Sequence, residues 1–263
     1  MRAVTLNAGF DEALLSRIED AGLNASAPPQ QRWLDGWLLR LSPGKAKRAR
    51  CVNAVAAGRL PLEDKLAACQ RAFDAARLPM IVRITPFTLP VGLDELLERQ
   101  GLARFDDTRV MVLPAFQSGA PVLPAGLSLH AVALEPFAQR IGQLRGSPLA
   151  QRLAHAERLA NSPVPFSAWE LRHGGATLVC GQIAVEDDVA GLYDVFTDES
   201  ARGRGLATLL CKRLLEDAAR LGARHAYLQV DSDNEAARAV YRRLGFIDGY
   251  AYHYRARNPD AVR

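Results

Sequence analysis

The chain has 263 residues, of which 49% are hydrophobic and 24% are charged, and its formal net charge is +4. This composition is typical of a soluble globular protein with one large or two medium domains, and it excludes disordered and fibrous classes. The charge is too small to indicate nucleic-acid binding. Residues 1–22 fit neither a secretory signal nor a membrane span, so we expect a cytoplasmic protein with no membrane contact.

The first half of the chain predicts helices and strands that end in a linker. Residues 114–126 contain three prolines and a Gln-Ser-Gly-Ala centre, a composition typical of linkers. We therefore predict domains at residues 1–115 and 127–263, joined by a linker at 116–126. Hydrophobic periodicity before the linker predicts helices at residues 11–21, 62–76 and 93–100 and strands at 33–41, 50–56, 80–85 and 104–113.

Two segments of this half allow more than one interpretation. Trp33 and Trp37 flank an acidic turn, which predicts packing at a strand edge or the wall of an acceptor cleft between domains. Residues 45–50 are strongly basic, a pattern that invites a nucleic acid or an acidic partner. No G-x-x-x-x-G-K-[ST] pattern is present, and we prefer a solvated hairpin tip.

The second half predicts a longer series of elements. Its patterns indicate helices at residues 134–143, 149–161 and 208–221, and strands at 167–172, 177–185, 191–197 and 225–230. A short helix opened by Asn234 and ended by a glycine C-cap at Gly245 follows, with a final strand after Phe246.

Cysteine and histidine spacing indicates no metal and no disulfide framework, because no C-x-x-C pair or zinc-type histidine spacing occurs. We expect the cysteines to be buried small hydrophobic residues. They are Cys51, Cys69, Cys180 and Cys211.

The two halves of the chain parallel each other. Residues 93–102 align with residues 237–246, so that Leu97 stands where Tyr241 stands. An internal repeat explains this parallel, and the alternative is that both halves share only a common α/β pattern. The second half has a glycine-rich turn at residues 202–207. Its nearest counterpart in the first half is residues 58–61. We therefore expect the first half to be a related fold without chemistry.

That glycine-rich turn is the strongest motif of the chain. Gly203 and Gly205 have no Cβ, so the backbone can adopt positive φ and bring successive N–H groups close to an anion. The unpaired amides of the following helix add partial positive charge. The motif predicts a phosphate-binding turn, with a solvated connection as the alternative.

A second motif follows on a short helix, where Asn234 and Tyr241 are seven residues apart and share a face. The order of strand, Arg-x-x-Gly-x-Ala turn, helix, strand, Asn-led helix with a tyrosine, Gly-Phe and final strand resembles the GNAT superfamily of N-acetyltransferases. The match covers residues 127–257 and is specific over 195–246. The resemblance implies an α/β (α+β) fold of two GNAT-like domains, each with a central mixed, mostly antiparallel sheet flanked by helices. It further implies a degenerate N-terminal domain and a catalytic C-terminal one.

The resemblance also implies acetyl-CoA as cofactor and acetyl transfer to a primary amine by direct attack on the thioester. The pyrophosphate would lie on the turn and the pantetheine arm along residues 195–197, with the two helices at 134–161 covering the acceptor side. The residues implied in cofactor binding are Val195, Phe196, Thr197, Arg202, Gly203, Arg204, Gly205, Leu206, Ala207, Thr208, Asn234 and Ala237.

Tyr241 is the predicted general acid, because a phenol of pKa about 10 can donate a proton to the departing thiolate. The alternative role of Tyr241 is structural, as a half-buried aromatic side chain that closes the helix face. Asn234 could likewise serve only as the helix cap. The sequence does not identify the general base. Some relatives have a glutamate at the position that is Gly191 in this chain. Asp194 is the nearest carboxylate, and Glu170, His173 or a water relay are the other choices.

Two questions remain open on the sequence alone. The alternative function is a non-catalytic acyl-CoA-binding or regulatory module. The amine acceptor is a small molecule or a protein amino group, and neither it nor the oligomeric state can be read from the sequence.

Overall fold

In this computed structural model, which describes residues 6–116 and 121–262, the first half forms the predicted alternation of helices and strands. Its elements are α1 (Glu12–Ala25), β1 (Gln31–Leu34), β2 (Trp37–Arg40), β3 (Val52–Ala54), α2 (Leu62–Ala75), β4 (Val82–Ile84), α3 (Leu93–Arg99) and β5 (Ala103–Leu113). Residues 117–120 of the predicted linker lie outside the described residues.

The single strand predicted over residues 33–41 is wrong, because this segment is the β1–β2 hairpin. Asp35 and Gly36 form its two-residue turn with φ values of 45° and 80°, which an Asp-Gly pair adopts readily. The turn separates the two tryptophans. Trp37 is fully buried with the Lys65 ammonium 4.6 Å from its ring centre, whereas Trp33 is 64% exposed. Packing was therefore predicted correctly for Trp37 alone.

The second half follows the predicted order, with one additional strand, β6, that was not predicted. Its elements are β6 (Leu127–Val132), α4 (Leu134–Leu144), α5 (Leu149–Ala160), β7 (Phe166–His173), β8 (Ala176–Glu186), β9 (Val189–Thr197), α6 (Leu206–Arg220), β10 (His225–Asp231), α7 (Glu235–Arg243) and β11 (Ile247–Ala256). Both halves place a helix between two parallel strands, β3 with β4 and β9 with β10. This shared arrangement supports the predicted repeat.

All four cysteines are buried, as predicted.

The eleven strands of the described residues join one continuous sheet in the order β1-β2-β3-β4-β11-β5-β10-β9-β8-β7-β6. The mixed, mostly antiparallel α/β class is confirmed, but the two sheets predicted for the two halves are merged. The merger results from an exchange, because β5 lies between β10 and β11 while β11 lies between β4 and β5. Each half therefore completes the sheet of the other.

Among the described residues, no helix combines the length and apolar character needed to span a bilayer.

A buried ion pair joins α1 to β4, and a hydrogen bond joins the same carboxylate to the exchanged strand β11. Glu19 on α1 accepts hydrogen bonds from Arg83 on β4 and, at 2.7 Å, from the hydroxyl of Tyr250 on β11. Burial alone would raise the pKa of Glu19, but the charge and hydrogen bonds of Arg83 and the Tyr250 hydroxyl hold it below its usual value. Both partners are therefore charged, and the hydrogen bond from Tyr250 links this first-half pair to the second half.

The basic segment at residues 45–50 is not the solvated tip that its sequence favours. It contains a short 3-10 turn, Lys47–Ala49, whose side chains bind the neighbouring strands. Lys47 Nζ lies 2.5 Å from Asp106 Oδ2 on β5, and Arg48 Nη1 donates to Gln229 Oε1 on β10 at 2.7 Å. The loop of residues 42–49 is therefore held against the second half.

Candidate active site

The glycine-rich turn opens α6 in the geometry that its sequence predicts. Gly203 and Gly205 have φ values of 75° and 73°, in the left-handed region that favours glycine. A Cβ added at either position would meet no atom within 4 Å. Gly205 is the N-cap of α6 and offers no side chain to the helix amides. The turn is thus exposed, and the ends of its backbone dipoles face open space.

The amides of this turn form a run of free donors. Among the described residues, none of the backbone N–H groups of residues 203–207 has a hydrogen-bond partner, and the first paired amide is that of Thr208, 3.1 Å from the Gly205 carbonyl oxygen. Arg202 pairs with Glu199 at 3.3 Å, and the Arg204 side chain is exposed. Consecutive free amides at a helix N-terminus form an anion site.

The first half fills the equivalent position with its own carboxylate. Asp35 accepts hydrogen bonds from the N–H groups of Arg59 and Leu60, just before α2, each at 2.9 Å. Lys65 Nζ lies 2.9 Å from the same carboxylate. The hydrogen bond from Lys65, followed by those two amides, lowers the pKa of Asp35 to about 2. This internal anion supports the expectation that the first half has no cofactor chemistry.

The strands beside the turn separate to form an opening. The parallel pairing of β9 with β10 ends at Leu192 and Leu228, although β9 continues to Thr197 and β10 to Asp231. The separation coincides with a bulge on the other side of β9, where Asp194 has a φ of 52°. Within the described residues, the edge of β9 at residues 193–197 has no strand partner on the β10 side. This edge includes the predicted cofactor residues Val195, Phe196 and Thr197.

The topology places Asn234 at the same edge of the sheet. Because β9 and β10 are parallel, their carboxyl ends and the helices that follow them lie together. Asn234 Oδ1 accepts from the N–H of Ala237 at 3.1 Å, so the predicted helix cap is confirmed. The Asn234 Nδ2 group has no partner among the described residues. A cofactor contact by Asn234 or Ala237 stays a prediction.

Tyr241 lies on α7 and packs into the core of the second half, against which Val195 of β9 also packs. Its ring lies edge-on to Phe246, with the ring centres 6.0 Å apart. Burial raises the pKa of Tyr241 above the usual value of a tyrosine, and the nearby charge of Arg145 opposes that shift only in part. Within the described residues, its hydroxyl has no hydrogen-bond partner. The side chain is thus a protonated phenol with an unused donor.

A cavity of about 330 Å³ lies beside the bulge of β9, between the loop of residues 42–49 and the helices α4 and α5. Tyr193 and Asp194 form its floor on β9. One face of α5 forms a wall, because Gln151, His155 and Arg158 recur at helical spacing. We call this space the inter-half cavity.

Asp194 lies at the centre of a polar cluster in this cavity. Its carboxylate accepts hydrogen bonds from Arg145 Nη1 and Gln182 Nε2, both at 2.7 Å. His155 Nε2 lies 3.2 Å from Oδ2 but is not aligned as a hydrogen bond. Burial would raise the pKa of Asp194, but His155 and the charge of Arg145 hold it well below its usual value. A carboxylate of such low pKa is a weak proton acceptor.

The other candidates for the base are placed less favourably. Glu170 is buried and fully engaged by Arg140 Nε at 3.0 Å, Arg172 Nη2 at 2.6 Å and Thr177 Oγ1 at 2.8 Å. His173 lies at the exposed end of the β7–β8 hairpin. A side chain at position 191 has no room, because a Cβ on Gly191 would lie 2.5 Å from the Tyr193 ring.

Sequence reasoning missed His155, Arg145 and Arg158. They belong to helices whose pattern predicts only an amphipathic face, and no motif spacing connects them to Asp194. Their shared location depends on how α4 and α5 pack over the sheet.

Comparison with known proteins agrees with this geometry. Residues 144–246 match the acetyltransferase (GNAT) family, so the chain carries a GNAT acetyltransferase domain in its C-terminal region. An uncharacterized N-acetyltransferase of Bacillus subtilis, YobR, is 25% identical over 228 residues, which cover 86% of this chain and 91% of the relative.

Two solved structures show the same fold. A GCN5-related N-acetyltransferase from Kribbella flavida aligns with a TM-score of 0.66 and 18% identity, over 93% of this chain and 95% of that one. A tandem GNAT protein from the clavulanic acid biosynthesis pathway aligns with a TM-score of 0.61 and 17% identity, over 75% of this chain and 70% of that one. The fold of this chain is therefore that of tandem GNAT proteins.

Proposed function

We propose that the chain is an acetyl-CoA-dependent N-acetyltransferase that acts on a primary amine by direct attack on the thioester. The observation that carries this proposal is the run of free amides at residues 203–207 beside the unpaired edge of β9. Free amides at a helix N-terminus bind phosphate groups, and an unpaired strand edge can hydrogen-bond the amides of an extended pantetheine arm. The names of the relatives support acyl transfer in general.

The residues present fit this cofactor. The amides of residues 203–207 would hold the pyrophosphate, with Thr208 adding a hydroxyl and Arg202 or Arg204 adding charge. The edge at residues 195–197 and the free Nδ2 of Asn234 would hold the pantetheine arm. When bound, acetyl-CoA supplies the acetyl group as an activated thioester.

Acyl transfer forms a C–N bond and breaks the C–S bond, so the amine must lose a proton and the thiolate must gain one. The Tyr241 phenol is protonated and carries an unused donor, which suits it to protonate the thiolate. A backbone N–H near Val195 would polarise the thioester carbonyl.

We assign the general base to His155 and a positioning role to Asp194. With the proton of the imidazole on Nε2, facing the ionised Asp194, Nδ1 is left as the proton acceptor. Nδ1 has no partner among the described residues and, unlike Nε2, is not fully buried. The pair therefore presents a basic nitrogen to the inter-half cavity, where an amine would enter.

Replacing His155 by glutamine is expected to lower kcat by ~100-fold while leaving the Kd for acetyl-CoA unchanged, because it removes the proton acceptor but no cofactor contact. Steady-state release of CoA thiol, with the best amine of an acceptor screen, measures the first quantity and calorimetry the second. His130→Gln is the matched control, since His130 is exposed on β6. Wild-type turnover in His155→Gln would show that His155 is not the general base and would favour a water relay.

Tyr241→Phe is expected to lower kcat by ~10- to 100-fold and to change the Kd for acetyl-CoA little, because only the proton donor is removed. The same two assays apply. Tyr254→Phe is the control, as it removes a hydroxyl from another buried tyrosine on β11. A proportionate loss of affinity and turnover, or no loss of either, would favour a non-catalytic acyl-CoA-binding module.

A further inference from the structure

The inter-half cavity carries a strong excess of positive charge. Five cationic side chains and one carboxylate line it: Lys45, Arg48, Arg145, Arg152, Arg158 and Asp194. Of these five cations, Arg145 alone is paired with the carboxylate within the described part of the chain, at 2.7 Å, and the His155 imidazole lies 3.2 Å from it. Among the described residues, Arg48, Arg152 and Arg158 take part in no salt bridge.

Two of these arginines, Arg48 and Arg158, are held in place by neutral groups rather than by carboxylates. Arg158, which is 9% exposed, donates to the Ala25 carbonyl oxygen at 2.9 Å, and Arg48 donates to the Gln229 amide oxygen at 2.7 Å. The Nε groups of Arg48 and Arg152 are buried without a partner. A cluster of guanidinium groups that lacks counter-charges is costly on its own, and an anionic ligand would relieve the cost.

The charge of the cavity also discriminates between amines. A polycation would be repelled by four or five like charges in a partly desolvated space, where Coulomb interactions are stronger than in water. An amine with a carboxylate or phosphate would instead receive charge-assisted hydrogen bonds from the arginines. The same positive field favours the neutral form of the amine, which is the nucleophilic form.

We propose that the acceptor is an amine that also carries an anionic group, a carboxylate or a phosphate, and that Arg48, Arg152 and Arg158 bind this group. The inference rests on the proposed function, since it names the substrate class of that site. It excludes polyamines and lysine-rich peptides as principal acceptors.

The test is calorimetric titration of the full-length protein without acetyl-CoA, using probes that differ in charge alone. Free amino acids are compared with their own carboxamides, O-phosphoethanolamine with ethanolamine, and spermidine serves as the polycation. We expect the preferred probe with an anionic group to bind ~10-fold or more tightly than its partner that lacks this group, and Arg152→Gln to remove most of this difference. Arg99→Gln, which removes the same charge from an exposed site on α3, should leave the difference intact.

The amino acids test for recognition of a carboxylate, and O-phosphoethanolamine tests for recognition of a phosphate. Preferential binding of either kind of probe supports the proposal. Equal or tighter binding of carboxamides or spermidine overturns it, as does a lack of binding by every anionic probe. Acetylation of spermidine in the presence of acetyl-CoA would leave the proposed function standing and this inference refuted. Failure of acetyl-CoA to bind would refute the proposed function independently of the charge preference.

Discussion

A fragment of residues 127–263, produced alone, is expected to be unfolded or insoluble. The reason is the strand exchange, because β5 of the first half lies between β10 and β11. Without β5 those two strands have no partner between them, and their open edges would favour aggregation.

The buried part of β5 indicates the size of the effect. Val110, Met111 and Val112 are fully buried and Leu113 is 3% exposed. At about 2 kcal/mol each, these side chains contribute about 8 kcal/mol, which is comparable to the whole stability of a typical domain.

Solubility and circular dichroism of the fragment measure the outcome. Coexpression of residues 1–126 as a separate chain is the matched control, and it should restore a folded complex because it returns β5 to the sheet. A soluble fragment with full activity would show that the second half is an independent domain.

Gly205→Glu is expected to weaken acetyl-CoA binding by more than ~100-fold, because a carboxylate would take the place of the pyrophosphate on the free amides. The added Cβ meets no atom within 4 Å, so the fold itself should persist. Titration calorimetry with acetyl-CoA provides the measurement.

Gly222→Glu separates this effect from backbone strain. Gly222 follows the opposite end of the same helix, has a φ of 97° and also faces open space. Both variants pay a comparable strain of roughly 1–2 kcal/mol for a positive φ. Equal losses of affinity in the two variants would contradict the assignment of the turn, and lack of binding in the wild type would reduce the proposal to a likeness of fold.

Much of the fold could be predicted from the sequence where the pattern is local. The glycine-rich turn was recognised because two glycines between a strand and a helix encode both the positive φ values and the absent cap. The cap at Asn234 was recognised for the same reason. The β1–β2 hairpin was missed although its signal is equally local, since Asp35-Gly36 is a typical two-residue turn that the apolar run around it concealed.

The candidate site divides in the same way. The proposed cofactor side lies within residues 195–241 and follows from motifs in one continuous segment. The proposed acceptor side combines the loop of residues 42–49, α4, α5 and Asp194, which no spacing connects. The basic segment was consequently assigned to solvent, and His155 was not considered.

By itself, the sequence determined most of the helices and strands, the glycine-rich turn, the Asn234 cap and the family resemblance of the second half, because each depends on residues that interact within a few helical turns or one strand connection. Only the tertiary structure decided that β5 and β11 exchange, that Asp194 is ion-paired, and that uncompensated arginines from both halves line one cavity. These features depend on contacts between residues far apart in the chain, where packing and charge pairing are set by the whole fold and leave no periodic pattern in the sequence.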